Sequence, residues 1–341
     1  MRALVIGGTG FLGLNIVDAL LASGVDVTVT RRKRSITVLA RRRPISFVEA
    51  SLEDRDQLAR AMEGCDVVYL AGAYYPRYSL DLHAAMDQGL TGVVNACEAA
   101  RAASVPRLVY TSTIATLGPP PDGRIADERD VPSAIPGDSV YRAVKWAMEA
   151  EIERARGDGL GVVTLLPGGC IGPGDLRLGT GAVIAGVIRG ELPWWVDGHV
   201  NIVDVGDVAR AHVVAGFETP ESRYAIAGHT VRVPELLERI ARRYGGSVPS
   251  VELSPDEARA RALDDERQAA PRKGRVPIPR EFVDMIVHGQ RVSNARAERD
   301  LALTLTPLDQ ALDRACTWLS SYGFIPRASR APSKETMHES V

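Results

Sequence analysis

Cysteine is sparse in this chain. Four thiols, Cys65, Cys97, Cys170 and Cys316, are scattered over 341 residues with no Cys-x-x-Cys pair and no ligand spacing. A disulfide framework is therefore not expected, and free thiols suit a reducing, cytoplasmic setting. The six histidines stand apart from one another, so no metal site is expected. Charge of one sign is missing too: 41 Lys and Arg against 43 Asp and Glu leave a net −2. That balance offers no electrostatic footprint for nucleic acid or an anionic membrane as the main partner. No apolar run reaches membrane-spanning length and no stretch repeats. The N-terminus enters an apolar strand at once, so no leader segment is expected. What remains is an ordinary globular composition, 45% hydrophobic and 25% charged. The length suits one large α/β domain with a smaller cap and a small-molecule partner.

The chain is organised around Val5 to Gly13, Val-Ile-Gly-Gly-Thr-Gly-Phe-Leu-Gly. An apolar strand enters it and an apolar-periodic helix, Phe11 to Ala22, leaves it. Gly7 turns the backbone off the strand, Gly10 clears the approach of a pyrophosphate, and Gly13 lets the helix pack close to the sheet. Gly8, Gly10 and Gly13 fit the same spelling. The helix N-terminus then presents N–H groups and a positive dipole end to phosphates. Gly7, Thr9, Gly10, Phe11, Leu12 and Gly13 are thus candidate dinucleotide contacts.

The second strand, Asp26 to Thr30, stops at Arg31-Arg32-Lys33-Arg34. A carboxylate at this point would hold the ribose hydroxyl of NAD, whereas arginine accommodates the 2′-phosphate of NADP. NADP(H) is therefore expected over NAD(H), with Arg31 and Arg32 as the clamp; a solvated basic loop is the alternative. A further strand, Asp66 to Leu70, ends in Ala71-Gly72-Ala73, small residues at the crevice end of a parallel strand. Tyr74 and Tyr75 follow at once and are candidate walls of a substrate pocket. The strand Arg107 to Thr111 ends in Ser112-Thr113. After a proline-rich loop, Asp138 or Ser139 caps a helix carrying Tyr141 and Lys145.

That four-residue spacing places Tyr141 and Lys145 on one helical face. An ammonium beside a phenol lowers the phenol's pKa toward working pH. Such a tyrosine can give a proton to a carbonyl oxygen or take one from an alcohol.

With these pieces in order, the chain resembles the extended short-chain dehydrogenase/reductase family from residue 1 to about 325. The glycine fingerprint, Tyr110-Thr-Ser-Thr-Ile-Ala115, Tyr141-x-x-x-Lys145, Leu166-Pro167-Gly168 and Asp204-Val-Gly-Asp-Val-Ala209 carry the likeness. Arg107 to Gly118, Gly172-Pro-Gly-Asp175 and Asn201-Ile-Val203 make it most similar to the dihydroflavonol 4-reductase-like branch, which includes hopanoid-associated sugar epimerase homologues. The resemblance implies that Thr113 hydrogen-bonds the substrate oxygen and that Tyr141 is the acid/base. It implies that Lys145 holds the nicotinamide ribose, and that the backbone of Pro167, Gly168 and Cys170 meets the carboxamide. It also allows a homodimer through the helices near 80–103 and 140–156. Three positions depart from the family pattern. Ala50-Ser51 replaces Gly-Asp at the expected adenine contact, where Ser51 and Leu52 are the candidates. Gly89 replaces an asparagine that supports a water path behind the lysine. Val200-Asn201 stand where nucleotide-sugar enzymes place an arginine, which weakens a nucleotide-diphosphate substrate.

The expected architecture is a doubly wound parallel Rossmann sheet over residues 1–165. A small substrate-binding cap over 166–326 interleaves with the last sheet strands, and 327–341 form a frayed tail. In the cap, Trp194 and Trp195 cannot both enter one core from a helix, so one of them is expected to face the substrate; packing of both into the cap is the alternative. Three functions stay open. The first is a reductase consuming NADPH on a fairly apolar or aromatic ketone. The second is a sugar-nucleotide epimerase or dehydratase that recycles its bound cofactor with no net turnover. The third is a non-catalytic redox sensor, against which the retained Tyr141–Lys145 pair counts.

Overall fold

The computed structural model describes residues 1–326 apart from 73, 76, 77 and 218. The expected tail, 327–341, lies outside the described residues. The first half runs β1 (Arg2–Ile6), α1 (Phe11–Ala22), β2 (Asp26–Arg31), β3 (Ser46–Glu49), α2 (Arg55–Met62), β4 (Val67–Leu70), α3 (Leu82–Ala102), β5 (Leu108–Thr111) and α4 (Val140–Gly157). Then follow β6 (Val162–Pro167), β7 (Gly169–Ile171), α5 (Gly181–Arg189), β8 (Trp195–Val196), β9 (His199–Asp204), α6 (Val205–Ala215) and β10 (Arg223–Ile226). The chain closes with β11 (His229–Arg232), α7 (Val233–Tyr244), β12 (Glu252–Leu253), α8 (Pro255–Ala269), α9 (Arg280–His288), α10 (Ala295–Asp300) and α11 (Leu308–Ser321).

Seven strands form one parallel sheet in the order β3-β2-β1-β4-β5-β6-β10. The central strands are continuous apolar runs because helices cover both faces: β4, β5 and β6 are buried along their whole length. On one face Ile16, Val17 and Leu20 of α1 meet Val208 and Val213 of α6. On the other, Leu58 and Met62 of α2, Val93 and Ala96 of α3, and Val144 and Met148 of α4 close a second core. The helices start where side chains can take up orphan amides. Asp54 accepts from the Gln57 N–H, Asp81 from that of Ala84 and Ser139 from that of Arg142. The strand order reverses between β1 and β4, and open α/β sheets bind ligands outside the carboxyl ends at such a point.

The second half builds a cap over that edge. Strands β7, β9 and β11 make a small mixed sheet. Ile184 and Val187 of α5, Leu236 and Ile240 of α7, and Leu312 of α11 pack around it. A parallel β8–β12 ribbon with α8 and α9 adds a separate core around Trp194, Ala258, Ala262 and Val283. The main sheet recruits β10 from beyond these first cap elements.

Candidate active site

The β1–α1 turn is built by close backbone approach. Gly7 sits at φ +89°, and a Cβ there would meet the Gly72 Cα at 2.5 Å. A Cβ on Gly13 would collide with the Gly7 carbonyl. Gly10 caps α1 with extended backbone and no side-chain hydrogen bond. The first-turn amides of Phe11 and Leu12 therefore face the crevice without a side-chain acceptor. A glycine cradle that side chains would fill, opening on an uncapped helix N-terminus, fits a dinucleotide pyrophosphate. Thr9 lies within the turn, and Ala71 and Gly72 flank it from the end of β4; Ala73 lies outside the described residues. Ser51 and Leu52 stand in the β3–α2 loop, where the Leu52 carbonyl accepts from Asn95 Nδ2 at 2.9 Å.

Beyond the turn, β5 and α4 deliver the expected chemical groups. Thr113 and Tyr141 are both buried, at 7% exposure each, as is Lys145 at 6%. The Lys145 Nζ lies 5.9 Å from the Tyr141 ring centroid. Burial is the largest influence on Tyr141 and pushes its hydroxyl up, against a hydrogen bond to Thr113 that lowers it. Removal from water thus acts against the lowering expected from a neighbouring ammonium. Burial likewise lowers Lys145 to about 8, opposed by the carboxyls of Glu149 and Glu281. Behind Lys145, Glu149 accepts a 2.5 Å hydrogen bond from Ser112 Oγ and pairs with Arg223. Gly89 of α3 faces the same helix. A Cβ there would meet Val144 Cγ1 at 2.7 Å and Met148 Sδ at 3.1 Å, so the family's asparagine does not fit at this position.

A cavity of about 470 Å³ joins these parts. Phe11, Leu12, Gly168 and Cys170 line it together with Thr113, Tyr141 and Tyr75. Ile184, Val200, Leu237, Ile240, Met285 and Ile286 are among its cap walls, which are mostly apolar. Arg142, His199, Asn201, His288 and Gln290 add a few polar groups. Pro167 ends β6, and the Gly168 N–H donates to the Ile226 carbonyl at 3.0 Å. The Cys170 thiol is pushed up by burial to about 12, so it is no thiolate.

Three expected substrate contacts lie elsewhere. Tyr74 packs onto the core beneath α3 and α4. Trp194 is buried against Ala258, Ala262 and Val283, and Trp195 packs on the α5–α7 core. Extended backbone at β8 sends neighbouring side chains to opposite faces, so the two tryptophans serve two different cores and neither lines the cavity. Conversely, the cavity residues of α9 went unassigned in the sequence. The available signals were Pro279 before the helix, Gly289 after it, and the apolar spacing Phe282, Met285, Ile286 between them.

Residues 3–227 match the family model described as the NAD dependent epimerase/dehydratase family. The chain belongs to that family. This family enzyme is similar to a putative dihydroflavonol 4-reductase from Synechocystis sp., 29% identical and covering 94% of this chain and 95% of the relative. It is also similar to a solved nucleoside-diphosphate-sugar epimerase from Pseudomonas aeruginosa. That match has a TM-score of 0.80 and 26% identity, covering 95% and 99% of the two chains. Its activity is NAD(P)-dependent oxidoreduction of a small organic substrate.

The NADP expectation is corrected. Five similar solved structures are complexes with NAD, among them a UDP-glucose 4-epimerase from Thermus thermophilus (TM-score 0.73, 24% identity, 93% and 98% covered). The basic run is also less decisive in three dimensions than in one. Arg32, Lys33 and Arg34 are exposed. Register places Glu49, an exposed carboxylate on β3, beside Arg31, so the sheet edge is not uniformly cationic. Among the described residues, no three His, Cys, Asp or Glu side chains gather to hold a metal, and no helix is long and apolar enough to cross a membrane.

Proposed function

We propose that this enzyme interconverts a ketone and an alcohol on a predominantly apolar small molecule with NAD(H), using Tyr141 as the acid/base. One observation carries the reading: a single cavity holds the fingerprint residues Phe11 and Leu12, the hydroxyls of Thr113 and Tyr141, and a largely aliphatic cap. Its volume of about 470 Å³ suits a drug-sized ligand, and such sites are walled by apolar groups with a few oriented polar ones. Bound NAD(H) supplies or accepts the hydride at the carbon. Thr113 and Tyr141 hold the substrate oxygen, and the Tyr141 hydroxyl gives that oxygen its proton on reduction and takes it back on oxidation. Lys145 would hold the nicotinamide ribose, and its ammonium can return a proton to Tyr141. The buried walls exclude water while charge develops on the oxygen.

A second reading, epimerisation of a nucleotide sugar, is favoured by the Pseudomonas aeruginosa relative and by NAD as cofactor. Val200 in the cavity wall and the aliphatic lining oppose it. Following the NADH absorbance band against apolar ketones, quinones and nucleotide sugars separates the two. Stoichiometric NADH loss with an apolar ketone is expected. Conversion of a nucleotide sugar without net NADH change would replace the first reading with the second.

A further inference from the structure

Among the described residues, helix α8 sends no side chain into the cavity. Its Ala258 and Ala262 pack in the separate core around Trp194. Yet α8 carries Glu266, a carboxylate 1% exposed, which reaches two elements that do line the cavity. One of its oxygens accepts from the Ser79 N–H at 2.6 Å, the other from the Arg280 N–H at 3.0 Å. Ser79 belongs to the β4–α3 loop, and Arg280 is the first residue of α9. Pro279 precedes α9 and gives it no side-chain cap. Glu266 therefore supplies an acceptor that this helix start lacks, and a negative group suits the positive end of the helix dipole. A second tie runs alongside: the Tyr78 hydroxyl donates to the Gly274 carbonyl, in the α8–α9 connection, at 2.7 Å.

On the cavity side, α9 contributes Phe282, Met285 and Ile286, and the β4–α3 loop contributes Tyr75. The Tyr75 ring stands edge-on to that of Tyr141, with centroids 5.5 Å apart at 64°. Tyr75 is more than half exposed, so burial alone does not hold it there. Its stretch of chain is pinned on either side, by Tyr74 against the sheet core and by Ser79 on Glu266.

We propose that Glu266 is a positioning residue: it fastens the β4–α3 loop to the start of α9, so that Tyr75 is held against Tyr141 and the loop and helix form one wall of the cavity. This rests on the reading of Tyr141 as the acid/base given above, and adds a residue that acts only through its neighbours. The place calls for a carboxylate. Two buried N–H groups converge on it and each needs an acceptor. An amide at 266 has a single oxygen to offer and turns an NH₂ group toward the second donor.

The test uses the full chain labelled with 3-fluorotyrosine, with the fluorine resonances of Tyr69, Tyr141 and Tyr224 assigned by single changes to phenylalanine. The edge contact sets the Tyr141 fluorine in the ring-current field of Tyr75. Tyr75→Leu removes that field and marks where the Tyr141 resonance falls without it. In Glu266→Gln the Tyr141 resonance should move at least halfway to that mark, while those of Tyr69 and Tyr224, in the sheet core, stay in place. When Glu266→Gln is combined with Tyr75→Leu, the resonance should move no further than with Tyr75→Leu alone, which a role confined to general stability does not give. Should Glu266→Gln not fold, Tyr78→Phe cuts the neighbouring tie and should move the Tyr141 resonance the same way by a smaller amount. A Tyr141 resonance that stays at its parent position, or that moves equally with and without Tyr75, overturns the proposal, and so does a joint shift of Tyr69 and Tyr224. NADH loss with the ketone panel on the same samples reports separately on the function: no turnover in the parent protein would sink the proposed activity and leave the resonances readable.

Discussion

The parallel sheet and the α8–α9 end of the cap bury their contents by different means. In the sheet half, whole strands such as β4 and β5 are buried along their length, mainly by apolar and aromatic residues; a few hydrogen-bonded polar groups, such as Thr111 of β5 and Glu149 of α4, lie in the same half. In α8 and α9, the buried set includes Glu266, Glu281 and Asp284. These carboxyls are held by amides and guanidiniums from elsewhere: Ser79 and Arg280 amides for Glu266, Arg259 for Asp284. A fold carried by apolar periodicity tolerates changes of polar surface, whereas one carried by buried polar pairs depends on each partner.

This contrast orders the expected effects. Tyr141→Phe should lower turnover by about 10²–10⁴-fold with NADH binding kept, since the chemistry belongs to α4 and β5; stopped-flow kinetics with the substrate found by the panel checks it. Leu20→Ala, at a fully buried position between sheet and α1, should cost about 3 kcal/mol in urea unfolding. His212 tests the sheet half through pH. Its ring bonds the Thr111 hydroxyl and the Val208 carbonyl, and burial lowers it to about 4. The unfolded chain therefore binds a proton first. Stability is fully present above pH 6.5, the ordinary value, and falls as pH drops toward 4, by about 3 kcal/mol. In His212→Asn the unfolding free energy should flatten across that window.

Val283→Ala, equally buried in the α8–α9 core, should cost only about 1.5 kcal/mol. It should also raise the KM for substrate while leaving NADH affinity alone; a parallel loss of NADH affinity would show that the two regions are not separable in this way. The smallest effect belongs to Arg239→Ala. Its pair with Asp309 ties α7 to α11 but is half exposed on both sides, so the change should stay within about 0.5 kcal/mol.

Legibility in the sequence follows the same division. The fingerprint glycines, the strand and helix series through α4, and the Tyr141–Lys145 pair are carried by short-range signals, and the structure has those elements within a residue or two. Helix α9 was not read from its flanking Pro279 and Gly289, and its place depends on distant contacts, Arg259 with Asp284 and the Arg280 amide with Glu266, that sequence order does not announce. The two tryptophans illustrate the opposite error. Aromatic density suggested a pocket, but strand alternation directed each ring into its own core. The basic run after β2 misled in a third way, since register alone sets Glu49 beside it.

Gly89 has a lasting consequence for how this enzyme can change. With Val144 and Met148 seated where its side chain would stand, α3 and α4 are drawn together along the helix that bears the acid/base pair. A larger residue at that point would have to displace the Val144 and Met148 side chains on the helix that bears Tyr141. An amide side chain behind the lysine therefore requires smaller or differently placed side chains at Val144 and Met148.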